Sequence, residues 1–514
     1  MNSLLACAPL LVVAVGALLL MLAEAFGRPL AAEAAGAPAV TDAGSGRSAE
    51  LALGSAVTLF AGAFTSLGLW WVGPERLEGV GELMPYLAMD RFTLFFCFTL
   101  CLGGGLASLL AGAYLPEHGI DRSEFFPLLL FSTVGAMALA AAADLLTLFV
   151  ALETMSLGVY CMIGLRRGST RATEAALKYF LLGSFAAALM LFGGALLYGA
   201  TGHTDLAGIG SSLANLRNVQ GGTQGPLALI GVALVLVGLA FKVSAVPFHM
   251  WTPDAYEGAP TPATAYMAVA VKSAAFAVLL RVLIAAFGDP KLSSWGHGWQ
   301  TPLWIVALLS MVYANLVAGR QQSVKRMLAY SSIAHAGYAL VGVVAVAGRP
   351  EASASVLYYL LAYTVSTAGA FGALILCGSR GAEASSYSDL AGLGKRHPAA
   401  ALAFSLFLLS LAGAPPTAGF FGKLFVFKAA VDGGLYWITV LGLVNSVIGA
   451  YYYLRVLVFM YMREPEPGAP IAKPMQSGYV GAALVIAAIL VLVLGVLPGT
   501  SLDVVTSAAL SSKE

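Results

Sequence analysis

The sequence predicts an all-α polytopic membrane protein of about fourteen transmembrane helices. Three observations carry that expectation. Of the 514 residues, 59% are hydrophobic and only 10% are charged, whereas soluble domains carry about 25% charged residues. The mean hydropathy is +0.85. Apolar runs of about 20 residues, long enough to cross a bilayer, recur from one end of the chain to the other. A soluble chain of this size could not solvate its surface with so few charges. The formal net charge of +1 argues against a nucleic-acid partner.

In order, the spans are expected at about 4–24, 51–72, 92–115, 126–143, 145–165, 175–199, 227–251, 263–286, 302–319, 327–347, 354–377, 399–430, 435–460 and 477–498. No basic residue precedes the first apolar run, so it reads as a membrane helix rather than a cleaved signal. The stretch RPLAAEAAGAPAVTDAGSGRSAE that follows is rich in Ala, Gly and Ser and reads as a flexible surface excursion. Loops after odd-numbered spans carry RRGSTR, GRQQSVKR and GKRH. They hold roughly fourteen Lys and Arg against about eight on the other face, which places those loops in the cytoplasm and both termini outside.

A weak internal repeat is visible. EAALKYFLLGSFAAA (174–188) matches ASVLYYLLAYTVSTA (354–368), and ETMSLGVYCMIG matches SSIAHAGYALVG (331–342) at nearly the same offset. AVPFHMW and GAPPTAGFFGK both interrupt a helix with proline. Repeats five spans apart have opposite orientations in the membrane, an organisation common among transporters. The division expected is 1–125 for spans 1–3, 126–290 for spans 4–8, 300–462 for the inverted spans 9–13, and 463–514 for span 14.

Charges inside the spans are the candidate functional residues. Glu153 lies in span 5, Lys178 in span 6, Lys242 in span 7, Lys272 in span 8 and Lys423 in span 12, with His335 midway along span 10. Each charge costs roughly 2.5–3.5 kcal/mol at mid-bilayer on insertion scales. A stable fold therefore turns them toward one another or toward water. Lys178 and Lys423 admit a second reading, snorkelling to an interface. Glu153 admits one as a fixed counter-ion to Lys178. His335 shares a face with Ser331, Ser332 and Tyr338 and also reads as a hydrogen-bonded core histidine.

In FKVSAVPFHMW (241–251), Pro247 lacks an N–H and its ring presses on the Val243 carbonyl, so span 7 is expected to break there. The freed carbonyl needs water or a polar neighbour. On helical spacing, His249 lies about two turns from Lys242 on the same face. Pro415 and Pro416 repeat the device before Lys423. Two ammonium groups about 8 Å apart at an effective dielectric near 20 repel by about 2 kcal/mol, so charging one site discourages charging the next. Such a row can pass protons without metal, nucleotide or nucleophile. The five cysteines (Cys7, Cys97, Cys101, Cys161 and Cys377) lie in apolar segments and read as small packing residues. The sequence shows no phosphate loop, zinc spacing or catalytic triad.

Taken together, LFVALETMSLGVY, GLAFKVSAVPFHMWTPDAYEGAPTPATAYMAVAVKSA, QQSVKRMLAYSSIAHAGY and SLAGAPPTAGFFGK resemble the antiporter-like membrane subunits of respiratory complex I, the NADH:quinone oxidoreductase. The resemblance covers about residues 85–465. Lys423 in span 12 and the early end after span 14 favour the subunit N branch. The resemblance implies fourteen helices in two inverted five-helix repeats, with broken helices 7 and 12. It implies that Glu153 and Lys178 are partners that bias loading, that Lys242, Lys272 and Lys423 transfer protons, and that His249 and His335 join a hydrated central axis. It also implies a bacterial inner-membrane location among other complex I membrane subunits. This chain then carries no cofactor of its own. NADH, FMN, iron–sulfur clusters and quinone belong to partner subunits. Two rival readings remain: a subunit of a multi-subunit cation/proton antiporter, separable by sodium-dependent transport, and a purely structural bridge whose charges serve assembly.

Overall fold

The computed structural model describes residues 2–26, 43–74, 83, 85–120, 122–216, 224–296, 298–378, 383–465 and 474–510. Among the described residues, twelve helices are long and apolar enough to cross a membrane. They are span 1 (Ala8–Phe26), span 2 (Ala43–Val72), span 3 (Arg91–Glu117), span 5 (Leu145–Ile163), span 6 (Thr170–Thr201), span 7a (Gln224–Lys242), span 8 (Thr261–Ala286), span 9 (Gln300–Ala318), span 10 (Val324–Ala345), span 11 (Ser353–Cys377), span 13 (Tyr436–Met462) and span 14 (Gly478–Val496). Span 4 is the shorter apolar helix Phe125–Ala141, and span 12 is split into 12a (Pro398–Ala412) and 12b (Ala418–Asp432). Each predicted span therefore has its helix. The predicted flexible excursion lies outside the described residues over 28–42, and its last part is helical from Ala43 onward.

Helix starts follow local chemistry. Asp90 caps span 3 by accepting from the Thr93 amide at 2.7 Å, and Asp144 caps span 5 by accepting from Leu146 and Thr147. Ser169 and Ser323 cap spans 6 and 10 in the same way. Each such cap satisfies an amide the first helical turn cannot, worth about 1 kcal/mol. Spans 6 and 7a approach closely because glycines face each other. A Cβ on Gly193 would lie 2.8 Å from the Gly231 carbonyl oxygen, and one on Gly231 would lie 2.9 Å from that of Gly193. Small residues at such contacts are how membrane helices pack without a hydrophobic driving force between them.

The helices sort into a core and a shell. The apolar windows of spans 3, 8 and 10 are 94%, 94% and 100% buried within the protein, whereas those of spans 1, 6 and 13 are about one-third buried. Polar groups in spans 8 and 10 thus face protein and not lipid. Span 8 is not a uniform α-helix. Five residues of π-helix, Met267–Val271, precede Lys272, and five more, Val282–Ala286, follow Arg281. Such wide turns re-aim the residues beside them.

Both helix breaks use one device. Span 7a ends at Lys242, before Pro247. Ser244 takes a left-handed conformation (φ 64°), its amide donates to the Phe241 carbonyl, and the Ala245 amide donates to the Ala240 carbonyl. In span 12, Gly413 takes φ 90°, its amide donates to Ser410, and the Ala414 amide donates to Leu409. This is the Schellman closure of a helix C-terminus. The left-handed residue stands three positions before a cis proline in each case, Pro247 and Pro416. The expectation that the helix continues to Pro247 and opens there is corrected. The chain leaves the helix earlier, and the Phe241 carbonyl also accepts from the Trp251 indole at 3.1 Å. Span 7b then runs from Trp251 to Gly258.

Two charge groups, each pairing a buried base with a half-buried acid, fasten the ends of the bundle. At one end Arg281 makes a bidentate pair with Asp90 (2.8 and 3.0 Å) and donates to Thr93 and to the Ala140 carbonyl. At the other, Glu383 accepts from Tyr114 of span 3, from Thr261 of span 8 and from Lys325 of span 10. Burial pushes the Glu383 carboxyl up, but Lys325 and Tyr114 outweigh it and hold the group below its ordinary value of 4.5. The stabilisation is therefore present above that value and is lost as pH falls below it toward the lower folded value. Glu383→Gln should lower the thermal midpoint at pH 7, and the gap to wild type should narrow at pH 4. Thermal unfolding of both proteins at the two pH values checks this.

Candidate functional site

Three of the five predicted intramembrane charges are core lysines in matching surroundings. Lys242 and Lys272 are each 2% exposed and Lys423 is 7% exposed. Lys242 Nζ donates to Ser156 Oγ of span 5 at 2.8 Å. Lys272 Nζ donates to the Ser332 carbonyl of span 10 at 2.7 Å and to Ser332 Oγ. Lys423 Nζ donates to Ser446 Oγ of span 13 at 2.9 Å and to the Ala412 carbonyl, the last residue of 12a, at 2.8 Å. Each amine also lies near tyrosine faces: Lys242 beside Tyr160 and Tyr179, Lys272 beside Tyr363, Lys423 beside Tyr338 at 5.0 Å. Tyrosine faces favour a cation at these distances.

The serine partner matters chemically. A hydroxyl both donates and accepts, so it satisfies an ammonium by accepting and a neutral amine by donating. A carboxylate in its place would hold the lysine charged. That contrast is built into the fold. Lys325, equally buried at 2% exposed, is paired with Glu383, and Arg281 is paired with Asp90. No such ion pair holds Lys242, Lys272 or Lys423 among the described residues.

His335 stands between Lys272 and Lys423. Its Nδ1 is 2.6 Å from the Tyr359 hydroxyl and its Nε2 is 3.1 Å from that of Tyr453, which in turn bonds Ser331. The Tyr363 ring, 5.1 Å away, carries a hydroxyl that donates to Ser332 Oγ, the oxygen that also receives Lys272. The Tyr338 ring, 5.7 Å away on the other side, lies against Lys423. Tyr338 OH accepts from Asn315, whose carbonyl accepts from Tyr452. The expected face shared with Ser331, Ser332 and Tyr338 thus lies among serine and tyrosine hydroxyls, near Lys272 of span 8 on one side and Lys423 of span 12b on the other.

The other three candidates fall differently. Glu153 lies on span 5 about one turn before Ser156, the partner of Lys242, and its Oε1 is buried with no hydrogen-bond partner among the described residues. Lys178 does not partner Glu153. Its side chain is 45% exposed and pairs with Glu174 at 2.6 Å and with Asp254 at 2.8 Å, while Arg326 takes the other oxygen of Asp254. The reason is helix register. The buried stripe of span 6 runs through Ala175, Tyr179 and Gly183, so Tyr179 points inward to Lys242 and its neighbour Lys178 points away. The helical face expected to join His249 to Lys242 is corrected as well. No helix connects His249 to Lys242, and its ring packs on Tyr313 of span 9 at 4.8 Å.

Sequence reading missed Ser156, Ser446 and the tyrosine shell. Their partners lie 86 positions away for Ser156 and 23 for Ser446, so periodicity within one span carries no trace of the pairing. The signal that was present is a short polar cluster inside each span: Glu153, Thr154 and Ser156 in span 5, Asn445 and Ser446 in span 13.

Comparison with known proteins agrees with this architecture. Residues 142–449 match the family described as NADH:quinone oxidoreductase/Mrp antiporter, transmembrane. The chain is 67% identical over 509 residues to NADH-quinone oxidoreductase subunit N 1 of Sorangium cellulosum, covering 99% of each chain. It is 41% identical to subunit N of Myxococcus xanthus, covering 96% of this chain and 94% of that one. A chain of respiratory complex I from Thermus thermophilus superposes with a TM-score of 0.75 at 34% identity, covering 96% of this chain and 98% of that one. A chain of the Mrp complex from Dietzia shares the fold with a TM-score of 0.78 at 22% identity, covering 98% of this chain and 97% of that one. On helix architecture, buried charges and similarity along nearly the whole length, the chain belongs to the NADH-quinone oxidoreductase subunit N family.

Proposed function

We propose that this chain is a proton-translocating membrane subunit of an NADH:quinone oxidoreductase, moving protons along Glu153, Lys242, Lys272, His335 and Lys423. The observation that carries the proposal is the set of three core lysines, each bonded by a serine hydroxyl and not by a carboxylate. Such a lysine is satisfied in either protonation state, which a transfer site requires. In this reading Lys272 hands a proton through Ser332, Tyr363 and His335 toward Lys423, and repulsion between neighbouring ammonium groups sets the order of loading. Water in the segments between 7a and 7b and between 12a and 12b completes the gaps. The shared break geometry supports two inverted repeats, 126–290 and 300–462.

Electron transfer from NADH to quinone belongs to partner subunits carrying FMN and iron–sulfur clusters. The complex sits in the bacterial inner membrane, with the basic loops in the cytoplasm and the termini in the periplasm. Lys178 acts with Glu174, Asp254 and Arg326 as a charge group at the cytoplasmic rim, and His249 lines the break in span 7. The likeness to an Mrp chain keeps a cation/proton antiporter as the second reading, and pumping that depends on sodium would favour it.

Glu153→Gln tests the acid end of the row. The assembled complex should keep its subunits while proton transfer linked to NADH oxidation falls several-fold, since the row loses the carboxylate one turn from the Lys242–Ser156 bond. Proton release by the reconstituted complex, measured against NADH consumed, checks this. Lys178→Gln should lower that ratio much less, because its partners lie at the rim.

A further inference from the structure

We propose that the groove between the ends of spans 9 and 13 binds the headgroup of an anionic phospholipid, with the acyl chains lying along span 13. The groove has a volume of about 700 Å³ and is lined by Arg320, Arg455 and Arg463. No aspartate or glutamate lines it among the described residues. Glu464, beside Arg463, is paired with Lys395 at 3.1 Å. Arg455 is fixed in place: its Nη1 donates to the Gly319 and Gln321 carbonyls, and its guanidinium lies 4.4 Å from the centre of the Tyr387 ring. Arg320 and Arg463 are exposed and have no carboxylate partner among the described residues.

Depth identifies the occupant. Span 9 ends at Ala318 and span 13 at Met462, so Arg320 and Arg463 stand just beyond the helix ends, at headgroup level. Arg455 precedes Met462, the end of span 13, by about two helical turns. Its backbone is therefore about 10 Å deeper, and its side chain reaches up to the loop after span 9. Below the arginines the surface turns apolar. Tyr451, Leu454 and Val458 are 61%, 47% and 38% exposed along one face of span 13. A free phosphate would use the arginines alone; a phospholipid uses both the cations and the apolar face beneath them. Guanidinium groups suit a phosphate by paired hydrogen bonds, and basic pockets at membrane ends recognise lipid headgroups in this way.

Native mass spectrometry of the purified full chain tests this, with phosphatidylglycerol, phosphatidylcholine and inorganic phosphate as separate probes. The wild-type chain should retain phosphatidylglycerol and bind phosphatidylcholine weakly, and inorganic phosphate should not displace the lipid. A surface arginine contributes about fivefold to such binding, so Arg320→Gln with Arg463→Gln should weaken phosphatidylglycerol binding roughly 25-fold. Both positions are exposed, and unchanged thermal unfolding of the double variant shows that the fold survives. Equal binding of the two lipids, or a double variant that binds like wild type, would mean the arginines only face water and overturns the proposal. So would displacement by inorganic phosphate, or a neighbouring subunit crosslinking into the groove of the assembled complex.

Discussion

Arg281→Met should destabilise the folded chain by about 3–5 kcal/mol, the range for breaking a buried ion pair by removing one partner. Arg281 is 7% exposed at its side chain, and its guanidinium holds both oxygens of Asp90, the Thr93 hydroxyl and the Ala140 carbonyl. It thereby ties span 8 to the start of span 3 and the end of span 4. Burial pushes the Asp90 carboxyl up, and Arg281 with Thr93 more than reverses this and holds it below the ordinary carboxylate value. Removing Arg281 leaves a half-buried acid without its cation. Arg281→Met combined with Asp90→Asn should recover most of the loss, because the amide oxygen still caps Thr93 and no charge remains. Chemical unfolding of the single and double variants, in one detergent and at one pH, checks both statements.

Lys272→Met should leave the chain folded and assembled while slowing proton transfer through it by roughly 10²-fold or more, the usual worth of a positioned proton-transfer group. Methionine fills nearly the same volume, so the core of spans 8, 10 and 11 should not collapse. What disappears is the amine that bonds Ser332 Oγ, the oxygen through which the Tyr363 phenol joins Lys272 to the surroundings of His335. Reconstituted complex should therefore show a lower ratio of protons released to NADH consumed, at unchanged subunit content. A drop in assembly with an unchanged ratio would instead assign Lys272 a structural role.

Hydropathy made the spans legible because each must present about 20 apolar residues to lipid or to apolar neighbours. Proline marked the two breaks but not where the helices stop. Span 7a closes at Ser244, a serine in a left-handed conformation that residue preference assigns to glycine, so the sequence offered no stop signal there. At Gly413 the same closure uses glycine. Lys178 and Lys242 looked alike in the sequence, both being lone amines in apolar runs. Lys178 and its inward-facing neighbour Tyr179 differ by about 100° of helix rotation, which hydropathy over a whole span averages away. The π-helical turns ahead of Lys272 and after Arg281 were likewise invisible, since nothing in MAVAV or VLIAA departs from ordinary helix composition. Pairing between serines and lysines on different spans is a property of tertiary packing, and only the charges themselves announced that partners had to exist.

In the proposed row a hydroxyl partner leaves each core lysine free to change its charge. Comparing Ser332→Asp with Ser332→Ala tests it most directly. A carboxylate about 3 Å from the amine, at an effective dielectric near 20, makes deprotonating Lys272 harder by about 5 kcal/mol. Ser332→Asp, although it keeps Lys272 and adds a second titratable group, should lose proton release per NADH to nearly the extent of Lys272→Met. Ser332→Ala, which leaves the Ser332 backbone carbonyl in place, should retain more. An aspartate variant that pumps at the wild-type ratio would contradict the account.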